Sequence, residues 1–240
     1  VVGTGPGAVE HMTARAVAVL GAADVVVGYR TYVDLLGDLV RDKQVVRSGM
    51  RAEVERCREA LRLAGEGKAV ALVSGGDPGV YGMAGLVLEL LVQEGLLGEL
   101  AVEIVPGVTS ATAAAACLGA PLSTDFAVIS LSDLLTPWEV IRRRLTAAAA
   151  ADFVLVLYNP ASHRRVEQIR EAQGLILAQR PGTVPAGLVR NAFREGQSVL
   201  LTDLAHLLAQ EIDMFTTIVV GNSTTRRVGD FLVTPRGYPV

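Results

Sequence analysis

Short β-branched runs in the first half of the chain constrain its fold most. They fall at residues 1–2, 25–27, 69–73 and 102–105, and the stretches between them carry apolar residues every three or four positions. Strand, helix, strand in this rhythm predicts βαβ units with right-handed crossovers and a parallel sheet. The spacing predicts helices over 13–20, 51–65 and 80–94. Thr13 is placed to cap the first of these, and Gly65 and Gly95 to end the other two. A parallel sheet is covered on both faces, and a chain of 240 residues that is 50% hydrophobic has the material to cover one.

The rhythm breaks in the turn-rich GAPLST of residues 119–124. Beyond it, strands are expected at 126–131, 153–158, 184–189, 198–201 and 217–220, with helices at 137–149, 164–179 and 204–210. This reading gives two α/β domains, residues 1–121 around a parallel sheet and 122–240 around a mixed one.

Composition narrows the function. A net charge of −3 carries no basic footprint for nucleic acid. No run of 18 apolar residues predicts a membrane span, and no signal peptide is read. Cys57 and Cys117 each fall inside a helical pattern with no ligand-spaced partner, as expected of packing residues in a reduced, cytoplasmic protein. His11, His163 and His206 form no ligating pair, so no metal site is expected. The chain opens on a strand without Met, and a few native N-terminal residues are expected to precede it.

Strand after strand ends in a Gly, Pro or Asn cluster: GTGPG, SGGDPG, VPGVTS, LYNP and GNST. Loops at the carboxyl ends of strands are where open α/β sheets bind ligands. The first cluster, VVGTGPGA, matches the dinucleotide fingerprint at Gly3, Gly5 and Ala8. Two residues speak against that ligand. Asp24 precedes its strand instead of following it, which puts it at the wrong edge of the sheet for a ribose. Pro6 removes an amide where a Rossmann helix would begin. Arg30, just past the strand, leaves only a weak route to a 2′-phosphate.

The cluster ALVSGGDPGVYGMAG, residues 71–85, is richer. Its glycines let backbone come close to a ligand, and Asp77 with Pro78 reads as the cap and first residue of the following helix. Together with GTGPG followed by Met12-Thr13, with VPGVTSA and with a late Gly-Asn-Ser, it resembles the tetrapyrrole (corrin/porphyrin) methyltransferases. Within that family the likeness is greatest to members that methylate C17 of a precorrin. The segments VVVGYRTYVDLL, RSGMRAEVERCREAL, DFAVISLSDLLTPWEVIRRRL, VLYNPASHRR, LVRNAFREGQ and VTPRGY carry it across nearly the whole chain.

The resemblance implies the two-domain tetrapyrrole methylase fold (a class III methyltransferase), each domain a sheet core flanked by helices. It further implies a homodimer, and S-adenosyl-L-methionine held in a cleft between the domains and leaving as S-adenosyl-L-homocysteine. Carried over residue by residue, the cofactor contacts implied are Pro6, Gly75, Gly76, Asp77, Val80, Tyr81, Thr109 and Ser110. Tyr158, Asn159, Arg190, Asn191 and Ala192 complete them. The activity implied is methylation of C17 in precorrin-3B or its cobalt form, with ring contraction, in cobalamin biosynthesis.

Methyl transfer from a sulfonium needs alignment and exclusion of water, not a protein nucleophile. Ring contraction adds a proton transfer from a substrate hydroxyl, for which Asp77, Asp125 and Asp133 are candidate bases. Asp133 is preferred, because SLSD follows a strand end. A substrate bearing several carboxylates calls for local positive charge, with Arg30, Arg51 and Arg190 the candidates and Arg47 and Arg194 beside them. Another tetrapyrrole acceptor, a non-catalytic tetrapyrrole-binding module and an NADP oxidoreductase stand as alternatives.

Overall fold

The computed structural model describes residues 1–162 and 165–239. The valine runs form β1 (Val2–Gly3), β2 (Val25–Tyr29) and β4 (Val70–Ser74), and together with β3 (Gln44–Ser48) they pair in parallel in the order β1-β4-β2-β3. Alternation within the runs sorts their side chains. Val26 and Val73 join one core with Leu20 and Leu36, whereas Val25, Val27 and Leu72 join the other with Cys57, Leu61 and Leu91. The covering helices are α1 (Ala14–Ala22), α2 (Arg30–Asp34), α3 (Glu53–Gly65) and α4 (Ala84–Gln93). The Thr13 hydroxyl accepts the Ala16 amide at 3.1 Å, so α1 is capped as its sequence predicts.

Several expectations are corrected here. Residues 102–105 supply only a bridge, Val105 to Val2, not a strand. In turn β3 (Gln44–Ser48) is a strand that the sequence pattern does not announce. Helix α4 begins at Ala84 instead of residue 80, so Asp77 does not cap it and Pro78 is not its first residue. The backbone is the reason: Tyr81 stands at φ 53°, outside the right-handed helical region, and Gly82 packs so close on Pro78 that a Cβ there would lie 2.6 Å from the Pro78 carbonyl oxygen.

The chain divides into two compact units, Val1–Ser110 and Ala111–Val240, earlier than the expected boundary at residue 122. Helix α5 (Ser110–Leu118) accounts for the difference. Its Ala111, Ala114 and Leu118 pack on Val154, Val156, Val189 and Val219 of the second sheet.

That sheet comprises β6 (Phe126–Ser130), β7 (Val154–Tyr158), β8 (Pro185–Arg190), β9 (Ser198–Asp203) and β10 (Thr216–Val220), ordered β6-β7-β10-β8-β9. Only β6 and β7 are parallel, so the sheet is mixed. A smaller sheet joins β5 (Gly119–Ala120) to β11 (Arg226–Val228) and β12 (Phe231–Val233). Helices α6 (Trp138–Ala150) and α7 (Glu167–Leu177) cover the face built on Ile129, Leu155, Leu157, Leu188 and Ile218. Pro137 sits at the N-cap of α6, so Asp133 has no capping role. The helix expected at 204–210 is a single 3-10 turn, Leu207–Ala209. His163 and Arg164, at the start of the helix expected from 164, lie outside the described residues.

One buried cation ties the second unit together. The Arg180 guanidinium, 5% exposed, donates to the carbonyls of Gly221 at 2.7 Å, Ala149 at 3.2 Å and Ala148 at 3.3 Å. It donates to the Phe153 carbonyl as well, joining the end of α6 to strands β7 and β10.

Candidate functional site

In the first unit, the loops that follow β1, β4 and residue 105 are knit together by backbone. Gly5 and Gly76 exchange hydrogen bonds, N–H to carbonyl, at 3.1 and 2.8 Å. The Asp77 carboxylate accepts the Gly79 amide at 2.8 Å through Oδ1 and the Gly107 amide at 3.0 Å through Oδ2. Side chains have little room at these contacts. A Cβ on Gly107 would sit 2.1 Å from the Gly76 carbonyl oxygen, and one on Gly3 would sit 2.7 Å from the Gly107 nitrogen. Gly76 itself has φ 68°, a conformation that glycine adopts without penalty.

Pro6, Gly75, Gly76, Asp77, Thr109 and Ser110 therefore gather at one edge of the parallel sheet. Pro6 is buried, Val80 is half-buried and Tyr81 is exposed. Asp77 uses one oxygen for its own loop and the other for a neighbour, so its geometry is that of a staple. Asp24 lies at the opposite edge, where its carboxylate accepts the Ala69 amide at 2.8 Å. The segment after β1 is a loop with a 3-10 turn at Val9–His11, as Pro6 suggests, and α1 opens only at Ala14.

Cations collect around the carboxyl ends of β2 and β3. Arg30 opens α2, and Arg51 is exposed at φ 64°. Arg47 is paired with Asp34 at 3.0 Å. Sequence reading misses Arg56, which is 5% exposed and donates to Ser48 Oγ at 2.6 Å and to the Gly49 carbonyl at 2.9 Å. Its guanidinium lies 5.9 Å from the Tyr29 ring centroid.

In the second unit, Tyr158 and Asn159 at the end of β7 and Arg190 and Asn191 at the end of β8 share one sheet edge, since β10 pairs with both strands. Both asparagines have φ 51°, in the left-handed region that asparagine tolerates well. The Tyr158 hydroxyl accepts the Ala111 amide at 2.6 Å. Arg190 is not an isolated cation: its Nε donates to Asp213 at 2.7 Å, and it stacks 5.8 Å from the Phe215 centroid. Burial works against the Asp213 charge, yet the bonds from Arg190, Thr216 and the Phe215 amide outweigh it and hold the carboxyl below its usual range.

Asp133 stands beyond the end of β6, exposed, with Oδ2 accepting from Gln168 Nε2 at 2.9 Å. Asp125 precedes β6 at the opposite edge of the sheet, remote from Ser130 and Tyr158. The Ser130 hydroxyl accepts from Asn159 Nδ2 at 2.9 Å and from the Ser132 amide at 3.2 Å. Nothing in the sequence singles out either serine, although both lie in the SLSD stretch. Among the described residues no cluster of three or more His, Cys, Asp or Glu side chains is placed to hold a metal, and no helix is long and apolar enough to cross a membrane.

Comparison with known proteins adds to this geometry. The family model "Tetrapyrrole (Corrin/Porphyrin) Methylases" matches residues 1–208. A "Cobalt-factor III methyltransferase" of Priestia megaterium is 48% identical over 99% of this chain, which spans only 44% of that protein. A "Probable cobalt-factor III C(17)-methyltransferase" of Salmonella typhimurium is 47% identical over 99% of this chain and 98% of its own length. A "Precorrin-3B C(17)-methyltransferase" of a Sinorhizobium species is 43% identical over 99% of this chain and 96% of its own. Among solved structures, the methyltransferase CobJ superposes with a TM-score of 0.92 at 35% identity over 98% of both chains. The uroporphyrin-III C-methyltransferase of Thermus thermophilus, complexed with S-adenosyl homocysteine, gives 0.68 at 26% identity over 92% of this chain and 95% of its own.

Proposed function

This chain belongs to the tetrapyrrole (corrin/porphyrin) methylases, and on that footing we propose that it methylates C17 of precorrin-3B or its cobalt form, with ring contraction, using S-adenosyl-L-methionine in cobalamin biosynthesis. The observation that carries the reading is collinearity: relatives bearing C17-methyltransferase names align with nearly the whole chain and over nearly their whole length. The first unit fits the cofactor. Its loop cluster is built of backbone packed too tightly for a side chain at Gly3 or Gly107, with Gly76 in a left-handed conformation between them, as suits a ligand held by main-chain groups.

When bound, the cofactor supplies a methyl group activated on a sulfonium. Pro6, Gly75, Gly76, Val80, Tyr81, Thr109 and Ser110 are assigned to holding it, with Asp77 fixing their loops to one another. Tyr158, Asn159, Arg190, Asn191 and Ala192 are assigned to the same cofactor. Asp133 is assigned as the base that takes the substrate hydroxyl proton, because Oδ1 has no partner among the described residues while Gln168 orients Oδ2. Arg30 and Arg51 are assigned to substrate carboxylates; Arg190, held by Asp213, adds little net charge to that task. A homodimer located in the cytoplasm belongs to the same proposal, supported by the family resemblance.

Incubation with methyl-labelled S-adenosylmethionine and a panel of precorrins and cobalt-precorrins, followed by mass measurement, tests the reading. Label is expected on precorrin-3B or cobalt-factor III. Cofactor and tetrapyrrole binding without transfer would make the protein a sequestering module instead.

A further inference from the structure

Arg47 and Arg190 each answer to a carboxylate, and Arg56 and Arg180, each 5% exposed, are buried among the groups they tie together. Arg165 fits neither pattern. Its Nη1 donates to Ser132 Oγ at 3.0 Å and its Nη2 to the Asn159 carbonyl at 3.0 Å, both neutral acceptors. Its Nε is buried and makes no hydrogen bond. No ion pair among the described residues includes it. Two of its five N–H groups thus have acceptors, and the full charge is left unbalanced.

The side chain is nonetheless held firmly. Ser162 and Arg165 exchange backbone hydrogen bonds at 3.0 and 3.1 Å, which anchors the backbone of Arg165 itself. Its acceptors stand on the ends of different strands, Ser132 beyond β6 and Asn159 beyond β7. The Ser130 hydroxyl joins them by accepting from both the Asn159 amide and the Ser132 N–H. The cation is therefore oriented over the sheet edge that also carries Asp133 and Tyr158. The arginines that brace this protein are buried, as Arg56 and Arg180 are, or spend their charge on an acid, as Arg190 does with Asp213; Arg165, half-buried and without an acid among the described residues, does neither. A planar donor set fixed by neutral acceptors matches a carboxylate brought by a ligand.

We infer that Arg165 binds a peripheral carboxylate of the tetrapyrrole, and so helps to set which edge of the macrocycle faces Asp133. This assignment rests on the acceptor reading proposed above. No bond is made or broken at Arg165; it is a substrate-binding residue.

The test is calorimetric and uses the whole chain. The probes are cobyrinic acid, a stable corrin polycarboxylate; a corrin of the same ring with those carboxylates amidated; and S-adenosylhomocysteine. Arg165→Ala is expected to weaken cobyrinic acid binding about 10-fold or more, the loss of a charge-assisted hydrogen-bonded contact. Binding of the amidated corrin and of S-adenosylhomocysteine should stay unchanged. Arg165→Gln, which keeps an N–H for Ser132 but no charge, should behave like Arg165→Ala. Unchanged cobyrinic acid affinity, or equal weakening of all three ligands in both variants, would overturn the assignment. If the parent binds S-adenosylhomocysteine but neither corrin, the acceptor reading itself falls and the Arg165 assignment goes with it.

Discussion

Replacing Gly107 by Ala probes the knitted loops of the first unit directly. The added methyl would lie 2.1 Å from the Gly76 carbonyl oxygen and 2.9 Å from the Gly3 carbonyl carbon, both backbone atoms that no rotamer change can move aside. Relief of contacts this short requires the loops to part by roughly 1–1.5 Å, since non-bonded heavy atoms rest about 3.5 Å apart. That displacement stretches the 3.0 Å bond from the Gly107 amide to Asp77 and the paired bonds between Gly5 and Gly76. Overpacking costs about 1–3 kcal/mol, and a weakened charge-assisted bond adds about 1 kcal/mol or more. A total near 3 kcal/mol corresponds to a fall of roughly 6–12 °C in thermal midpoint for a chain of this size. Gly85→Ala is the internal control. Gly85 lies in α4 and a methyl added there would meet nothing within 4 Å, so the same change should stabilise by about 0.5–1 kcal/mol. Thermal melts of both variants, with S-adenosylhomocysteine titrations alongside, make the measurement. A Gly107→Ala midpoint within about 1 °C of the parent, with binding intact, would refute the claim that these loops leave no room for a side chain.

Two other perturbations follow from the same geometry. Arg180→Ala removes the common donor of the Ala148, Ala149, Phe153 and Gly221 carbonyls and should destabilise the chain by about 3–5 kcal/mol in denaturant melts, whereas an exposed arginine such as Arg41 should cost under 1 kcal/mol. Burial pushes the Cys57 thiol up to about 11, outweighing the opposing pull of Arg56. The unfolded thiol ionises first, so the stability Cys57 contributes is intact below about pH 9 and declines as pH rises toward 11. Cys57→Ala should flatten that decline in melts across the range, and thiol alkylation of the native protein at pH 8 should reach Cys117 first.

The parallel sheet is readable because each of its inner strands is an uninterrupted apolar run that no amphipathic surface helix would carry. Strand β3 escapes because it lies at the sheet edge, where Gln44 and Arg47 face solvent and break the run. The start of α4 misleads for a different reason: Asp77-Pro78 has the local grammar of a helix start, but the left-handed Tyr81 and the packing of Gly82 on Pro78 delay the helix to Ala84. The domain boundary depends on which sheet an alanine-rich helix packs against, and α5 shows no strong apolar face to reveal it. At the site, the glycine clusters are legible because close backbone approach demands glycine wherever it occurs. Arg165 is not, although it follows directly on the VLYNPASHRR motif's first arginine. Its significance comes from Ser132 and Asn159, which reach it from separate strands, and from the lack of a counter-ion among the described residues, which no linear pattern displays.

The knitted loops also bear on how such a protein can change over generations. A Cβ on Gly3 or on Gly107 would run into backbone of the other and of Gly76, and Gly76 itself stands at φ 68°, so a substitution at any one of them cannot be rescued by trimming a neighbouring side chain. Selection can keep or lose that arrangement only as a set. Arg30 and Arg51, exposed at the margins and assigned to the substrate instead of the cofactor, carry no such mutual constraint. Drift toward new acceptors, in nature or in a directed library, should therefore accumulate at those marginal positions while the glycine triplet stands still.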